Sequence, residues 1–503
     1  ARPQPELPPQ RSADVSLFRL SARVYSPLGA PAVPGKGTRV VSASPDTGQQ
    51  VGAPRKQRAV RCVPAGKRVR TTTLAVSSMF PGLQGPSLAR ARSSGRVARA
   101  SLALLILAAA LPGRAQALAA APASRLDAVF VTGSRVPMRV DEALAEITVI
   151  DRAQIEQADG RTLVELLGRQ SGVQFWAYGG AGKFSSVSLR GLDSRHTLLL
   201  IDGVRYGSAT SGAPAWENLP LSSIERIEIV RGPLSGLYGS DAVGGVVQVF
   251  TRAGAPGVHV DSSALTGSNR TRQADTSVRF GEGDFDAAVQ LAHAQTRGFS
   301  ATNPQEPFGS FNADKDGWRQ NSGSAKLGWR LAQGWRIEAN GFESRGEAQL
   351  DDGAGADSRA ALRSEVLALH VSGPMTAGWR TLLRAARSLD STDTLATASP
   401  FTPLGATRTV QEQLSWENSV ATSLGTALVL AEHVRQRVSM PAPSFNVSQR
   451  SINGVAAGLN GRADVHTWQM NLRHDRNSQF GSQTTGTLAY GRDLTPQWRA
   501  GGS

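Results

Sequence analysis

Apolar and polar positions change their rhythm along this chain. From residue 253 onward, segments of about 8–14 residues alternate apolar and polar, as in SAKLGWRLAQGWRIEANGFES (324–344), TLLRAARSLDS (381–391) and TWQMNLRHDR (467–476). In the last, Trp468, Met470 and Leu472 fall on one side, and Gln469, Asn471 and Arg473 on the other. A period of two is the period of a β-strand. About 12 or 13 such strands are legible, joined by short turns such as Ala332-Gln333-Gly334. Two-faced strands in this number predict a transmembrane antiparallel β-barrel over 253–503, with one face in lipid and the other in a wet lumen. A soluble β-sandwich would also alternate, so the pattern alone leaves both open.

Upstream, residues 135–252 read as a small α+β domain. EITVID (146–151) has strand character. Residues 152–169 read as one helix, because Ile155, Leu163, Leu166 and Leu167 sit at helical spacing ahead of Gly168. HTLLLIDGVR (196–205) predicts a hairpin, since Asp202-Gly203 suits a type I′ turn. IERIEIV (224–230) and VVQVF (246–250) are further strands, the second entered through a glycine run.

The N-terminal part differs again. Residues 101–112, SLALLILAAALP, follow Arg90, Arg92, Arg96 and Arg99 and precede GRAQALAAA (113–121). A basic flank, a short apolar core and small residues predict a secretory signal peptide within 79–117, cleaved after Ala115 or Ala117. The apolar run is shorter than the ~20 residues a spanning helix needs. The first methionine is Met79, and residues 1–78 are rich in Pro and Arg with no hydrophobic period. They are expected to be a non-native or disordered leader. Residues 118–134 read as an extended segment.

Charge supports this division. The formal charge is +15, but residues 1–100 hold 17 Lys and Arg against 3 Asp and Glu, and the other 403 residues hold 38 against 37. The basicity is local, so no nucleic-acid partner is expected. Seven of nine tryptophans lie beyond residue 300, as interfacial girdles of a barrel require. A lone Cys62 excludes an intrachain disulfide.

No enzyme signature stands up. Gly182-Lys183 suggests a phosphate-binding loop, but Phe184 takes the place of Ser/Thr and Ala177 that of the first glycine. Ser235 in GPLSGLYG lacks the glycine two residues earlier that a nucleophile elbow needs. Seven scattered histidines form no HExxH motif.

The stretch 184–252 carries more. With ITVIDRAQIEQ, SGV (171–173), GGAGKFSSVSLRG, LIDGVR, YGSDAVGGVV and DRNSQFG (475–481), the chain from about Asp127 onward resembles the TonB-dependent outer-membrane receptors, most nearly their cobalamin-transporting branch. The resemblance implies a plug over 135–252 seated inside the barrel. It also implies a barrel of about 22 strands, so this chain is expected to be a fragment lacking its C-terminal strands.

Site residues follow from the same resemblance. The TonB box falls on Asp127, Ala128, Val129, Phe130, Val131 and Thr132; an extended apolar segment suits strand addition by TonB, and a plain linker is the alternative. Phe184, Ser186, Asp193, Thr210 and Ser211 would face the ligand, of which Ser186 and Ser211 keep the family's residue type. Arg190 and Arg231 would anchor the plug to barrel acids, although an ordinary salt bridge explains either equally well. Asn312, Asp314 and Asp316, with Asp351, Asp352 and Asp357 of the next long loop, would bind structural Ca²⁺, which takes oxygen ligands at such spacing. Asp357 fits only with a deletion, and a further acidic ligand of the family falls on Ser300. Solvated acidic loops are the competing reading.

The implied function is TonB-coupled uptake of cobalamin or a related corrinoid at the Gram-negative outer membrane. The cargo then passes to a periplasmic binding protein, and lipid surrounds the barrel. A siderophore or haem receptor on the same scaffold is the runner-up. A signalling or adhesion protein is third, disfavoured because only about ten residues separate Ala117 from Asp127.

Overall fold

The computed structural model describes residues 16–24, 130–131, 135–136, 138–158, 160–395, 405–440, 447–495 and 498–503, with the backbone alone for 16–24, 130–131 and 141. The signal-peptide region 79–117 and the box residues Asp127, Ala128, Val129 and Thr132 lie outside the described residues. The described chain begins with β1 (Ser16–Val24). The plug follows: β2 (Phe130–Val131), β3 (Met138–Arg139), β4 (Glu146–Ile150), β5 (Val173–Ala177), β6 (Ser185–Leu189), β7 (Thr197–Ile201), β8 (Val204–Tyr206), β9 (Ile224–Arg231) and β10 (Gly245–Thr251). Five of these strands form one sheet in the order β4-β9-β10-β7-β8, with β10 and β7 parallel and the other pairs antiparallel.

Local chemistry explains the plug's joints. Residues 152–169 are two short helices, Arg152–Gln157 and Leu163–Leu167, rather than the single helix predicted. The apolar spacing is continuous, but Gly160 takes φ +79° and Thr162 opens a second capping box with Glu165, as Asp151 does with Gln154. Each box satisfies amide donors at a helix start, so the chain restarts instead of continuing. The hairpin forms as read, with Asp202 and Gly203 both at positive φ (47° and 80°), the geometry of a type I′ turn.

Among the described residues, thirteen strands form the wall that the plug packs against: β11 (Gly257–Gly267), β12 (Thr271–Glu282), β13 (Phe285–Thr296), β14 (Trp318–Arg330), β15 (Arg336–Leu350), β16 (Ser358–Thr376), β17 (Trp379–Leu395), β18 (Gly405–Thr422), β19 (Gly425–Ser439), β20 (Gln449–Ala463), β21 (His466–Asn477), β22 (Gly481–Asp493) and β23 (Arg499–Gly502). Each pairs antiparallel with its sequence neighbour. Their polarity is inverted relative to a soluble sheet. Leu367, Leu414, Val429, Leu472 and Leu488 are more than half exposed on the outside, while Gln413, Ser415, Glu432, Asn471 and Arg473 are buried on the inside. Only a wall with hydrocarbon outside and polar groups inside makes this arrangement favourable.

The expectation that nothing in 1–78 forms regular structure is corrected. β1 joins the sheet antiparallel to β11, from Ser16 opposite Thr266 to Val24 opposite Val258. Phe18, Leu20, Ala22 and Val24 alternate with Arg19, Ser21 and Arg23, a strand pattern inside Pro-rich surroundings. The free edge of β11 offers the N–H and C=O groups that such a segment pairs with.

The plug core is closed against the wall. Trp216, Leu167, Leu189, Ile227 and Ile229 are fully buried, and Phe342, Val366 and Ala368 of the barrel belong to the same cluster. Truncating so enclosed an aromatic costs about 3–5 kcal/mol. A polar seam runs beside it. The Asn218 amide donates to Ser344 O (3.1 Å) and Ser364 Oγ (2.8 Å) and accepts from Gln320 Nε2 (3.1 Å). Gly346 is a glycine for this reason, since a Cβ there would stand 2.8 Å from Asn218 Oδ1. Next to it, Glu217 Oε2 accepts from Ser185 N (3.1 Å) and Ser185 Oγ (2.9 Å). Burial, with a smaller contribution from the Asp390 charge, pushes the Glu217 carboxyl up to about 7.

A raised carboxyl pKa means that the folded state holds its proton more tightly than the unfolded state. Stability from Glu217 is therefore full below about 4.5, its ordinary value, and is lost as pH rises towards about 7. The plug should resist denaturant better at pH 5 than at pH 8. Glu217→Gln should flatten that part of the profile, as followed by tryptophan fluorescence; an unchanged pH slope in the variant would assign it elsewhere.

Candidate functional site

One end of the barrel carries the long connections 297–317 and 351–357. The plug meets this rim with the turn between β5 and β6. Trp176, Tyr178 and Phe184 form an open aromatic cluster there, with ring centroids 4.9, 5.6 and 5.9 Å apart. All three are more than 40% exposed, which leaves their faces available to a ligand. Below them the turn is clamped. A Cβ on Gly182 (φ +78°) would overlap the Trp318 indole, and one on Gly179 would stand 2.8 Å from Ala301 Cβ.

The predicted ligand residues divide. Phe184 and Ser211 are exposed at this end, and Thr210 is half-buried beside Ser211. The 208–213 turn is self-satisfied: Ser208 Oγ lies 2.6 Å from Thr210 Oγ1, and Ser211 Oγ donates to Ala213 O at 3.1 Å. Asp193 is exposed but engaged, accepting from Arg195 N (2.9 Å) and Arg195 Nε (3.0 Å), which holds its carboxyl down at about 2. Ser186 is a correction. It is buried, directly opposite Trp176 across the β5–β6 ladder, and opposed residues of an antiparallel pair share a face. The large ring takes the open position.

The acidic residues of the two loops divide as well. Asp314, Asp316 and Asp351 bring carboxylate oxygens within 4.8 Å of one another. Asn312 instead ties the loops together, accepting from Gly355 N (3.3 Å) and donating to Ala356 O (3.0 Å). Asp352 accepts from Ser358 Oγ at 2.9 Å, and Asp357 is paired with Arg359 at 2.8 Å. Into the three-carboxylate cluster reaches Lys183 of the plug, its Nζ 3.5 Å from Asp316 Oδ1. Burial, partly offset by Asp316, holds the Lys183 amine below its ordinary value, and burial holds the Asp316 carboxyl above its own.

Deeper in the lumen, two barrel acids collect four arginines. Glu417 pairs with Arg135 (2.8 Å) and Arg384 (3.1 Å). Glu432 pairs with Arg473 (2.9 Å), Arg135 (3.6 Å) and Arg205 (3.6 Å). Every side chain in this network is less than 10% exposed. Arg135 also lies over the Tyr238 ring at 4.4 Å and donates to Leu237 O at 3.1 Å. Burial disfavours its charge, but Glu417 and Glu432 more than offset this and hold its pKa above the ordinary arginine value. A second tie joins Lys326 of the wall to Asp202 of the hairpin at 2.7 Å.

Similarity to known proteins agrees with this architecture. A family described as "TonB-dependent Receptor Plug Domain" matches residues 139–246. The vitamin B12 transporter BtuB of Photobacterium profundum is 30% identical over 383 residues, which is 75% of this chain and 61% of the relative. BtuB of Vibrio cholerae serotype O1 (strain M66-2) is 28% identical over 384 residues, 74% of this chain and 61% of the relative. Among solved structures, the siderophore receptor PirA from Acinetobacter baumannii superposes with a TM-score of 0.60 at 17% identity, covering 71% of this chain and 60% of that one. A mutant of the ferric enterobactin receptor PfeA from Pseudomonas aeruginosa gives 0.58 at 17% identity, covering 74% and 62%.

The chain carries the plug domain of the TonB-dependent receptors. It spans about three fifths of the length of the curated relatives it matches. Receptors of this family are outer-membrane β-barrels, which accounts for the inverted wall.

Within the receptor, the expected anchors Arg190 and Arg231 are corrected. Both pair with Glu146 of the plug itself, at 2.9 and 3.3 Å, and Arg231 also donates to Thr148 Oγ1 at 2.8 Å. They brace the plug internally, because β4 runs beside β9 and brings Glu146 opposite Arg231. The ties to barrel acids come from Arg135 and Arg205, which sequence reasoning missed. A signal existed for Arg205: it sits between Val204 and Tyr206 in a wholly buried strand, and a buried arginine needs a partner.

Removing one member of a buried ion cluster leaves charges without partners and costs about 3–5 kcal/mol. Glu432→Ala should therefore loosen the plug, seen as a lower urea midpoint and faster protease cleavage within 135–252. Arg190→Ala, which breaks a half-exposed pair, should cost less than about 1 kcal/mol. Equal effects from the two substitutions would refute the assignment of the lock.

Proposed function

We propose that this receptor imports cobalamin or a closely related corrinoid across the outer membrane, energised through TonB, with no chemistry on the cargo. The observation that carries this reading is the similarity to two vitamin B12 transporters at 30% and 28% identity through plug and barrel alike. The siderophore receptors, at 17%, support the fold alone. The rim agrees with a large, weakly charged cargo. Its plug side presents three aromatic faces, its exposed Arg195 is already neutralised by Asp193, and Lys183 is buried. An anionic ferric siderophore, the competing cargo, calls for free positive charge at that place.

Capture begins on Trp176, Tyr178 and Phe184. Release begins at the other end of the plug. TonB adds a strand to the box, of which Phe130–Val131 already pairs with Met138–Arg139. Arg135 lies in the connection between those two short strands, three residues after Thr132. A pull on the box is therefore delivered first to the Arg135 contacts with Glu417 and Glu432. TonB must bind the released box better than the docked one by the cost of breaking those contacts, or the equilibrium does not move. The freed plug opens a polar path along the inner wall, from which a periplasmic binding protein takes the cargo.

The test is uptake of labelled cobalamin in a strain deprived of its own cobalamin receptor and supplied with this one. Uptake should appear only when TonB is present. Phe184→Ala should weaken cobalamin binding about tenfold, the ~1.4 kcal/mol expected of an aromatic contact at a ligand site. Restored growth on ferric siderophores without cobalamin uptake would overturn the reading in favour of the competing cargo.

A further inference from the structure

The loop cluster of Asp314, Asp316 and Asp351 invites a divalent cation, and its donors can be checked one by one. Ca²⁺ takes about six to eight oxygens. Asp316 Oδ2 is committed to Ala301 N at 2.8 Å. Asp351 Oδ2 is committed to Thr302 N (2.8 Å), Thr302 Oγ1 (2.6 Å) and Ser300 Oγ (3.3 Å). Asn312, Asp352 and Asp357 are engaged elsewhere. Position 300 supplies a neutral hydroxyl. The oxygens left over come from Asp314 and from Asp316 Oδ1 and Asp351 Oδ1, and the last two are buried without any hydrogen bond. With Lys183 among them, these few oxygens leave no place for Ca²⁺.

A different cation is already present. Lys183 is 2% exposed, its Nζ also lacks a hydrogen bond, and it stands 3.5 Å from Asp316 Oδ1 with its charge acting on Asp351 and Asp314 as well. A buried ammonium needs counter-charge, and three converging carboxylates need a cation. Its position is built rather than accidental. Gly179 and Gly182 let the turn pass under Ala301 and Trp318, which directs the next side chain between the loops.

We infer that Lys183 is a tethered cation that takes the place of a metal ion in the acidic loop cluster and ties the loops 297–317 and 351–357 directly to the plug. The receptor therefore orders these loops without calcium. Loop order is also coupled to the plug: displacing the 177–184 turn withdraws the cation and leaves the three carboxylates to repel one another. A diffusible ion would stay with the loops whatever the plug did. This inference rests on the fold and stands whichever cargo the receptor carries.

The test uses the full chain in detergent, with limited proteolysis of the 297–317 loop and calorimetric titration with CaCl₂. The unsubstituted protein should be equally protected in EDTA and in about 1 mM Ca²⁺, and should give no binding heat in that range. Lys183→Met vacates the site. Its loop should be cut at least tenfold faster in EDTA, and Ca²⁺ should restore protection with a Kd of about 10⁻⁴–10⁻³ M, as in extracellular calcium modules. Asp316→Asn is the second arm, should the first variant not fold. It removes the lysine's partner and a metal donor together, so the loop should be cut faster with and without Ca²⁺ alike. Calcium binding and calcium-dependent protection in the unsubstituted protein, unchanged in Lys183→Met, would overturn the inference.

Discussion

Glu432 sits where water cannot compensate its charge, in reach of three guanidinium groups, and much of the structure depends on that meeting. A barrel in lipid must turn its polar residues inward. A plug in its lumen must then present polar groups of its own or leave the wall unsatisfied. The plug does so with Arg135, Arg205, Asp202, Tyr206 and Asn218, and the wall answers with Glu417, Glu432, Lys326, Ser364 and Gln320. Apolar packing through Trp216 and Phe342 fixes the distance between them. The two parts form one unit because each is the other's solvent.

This organisation also explains how a firmly held plug can be released. Apolar contacts resist displacement in every direction, whereas ion pairs are directional and can be exchanged for water once a path opens. Arg135 lies between the short strands Phe130–Val131 and Met138–Arg139 and reaches both barrel acids. The rim cluster around Lys183 lies at the far end of the same plug. Charge at the two ends thus gives the plug two separable attachments, one beside its first short strands and one at the loops.

Much of the architecture is legible in the sequence. The period-two segments named the barrel strands, and the strand count agreed, because strands facing lipid on one side and water on the other cannot hide their alternation. The Asp202-Gly203 turn was equally plain, since few residue pairs accept two positive φ values. Less was legible where partners lie far apart in sequence. Nothing around Arg190 or Arg231 distinguished a partner within the plug from one in the wall, and Arg135 and Glu417 are separated by 282 positions. Ser186 looked available because its burial depends on Trp176 across a strand pair. The sequence around Lys183 suggests only a failed phosphate loop, because its counter-charges lie in two loops more than a hundred residues away. The helix break at 160–162 was the opposite case: capping signals were present, but continuous apolar spacing hid them.

The central claim, that buried ion pairs between plug and wall hold the plug in place, is tested most directly by a double-mutant cycle. Arg135→Met, Glu417→Gln and the combined variant would be compared by the free energy of plug unfolding in urea. The account predicts a coupling of at least about 1.5 kcal/mol between the two positions, as for close charge pairs of this kind. Additive effects within about 0.5 kcal/mol would show that the contact carries no energy of its own and would contradict it.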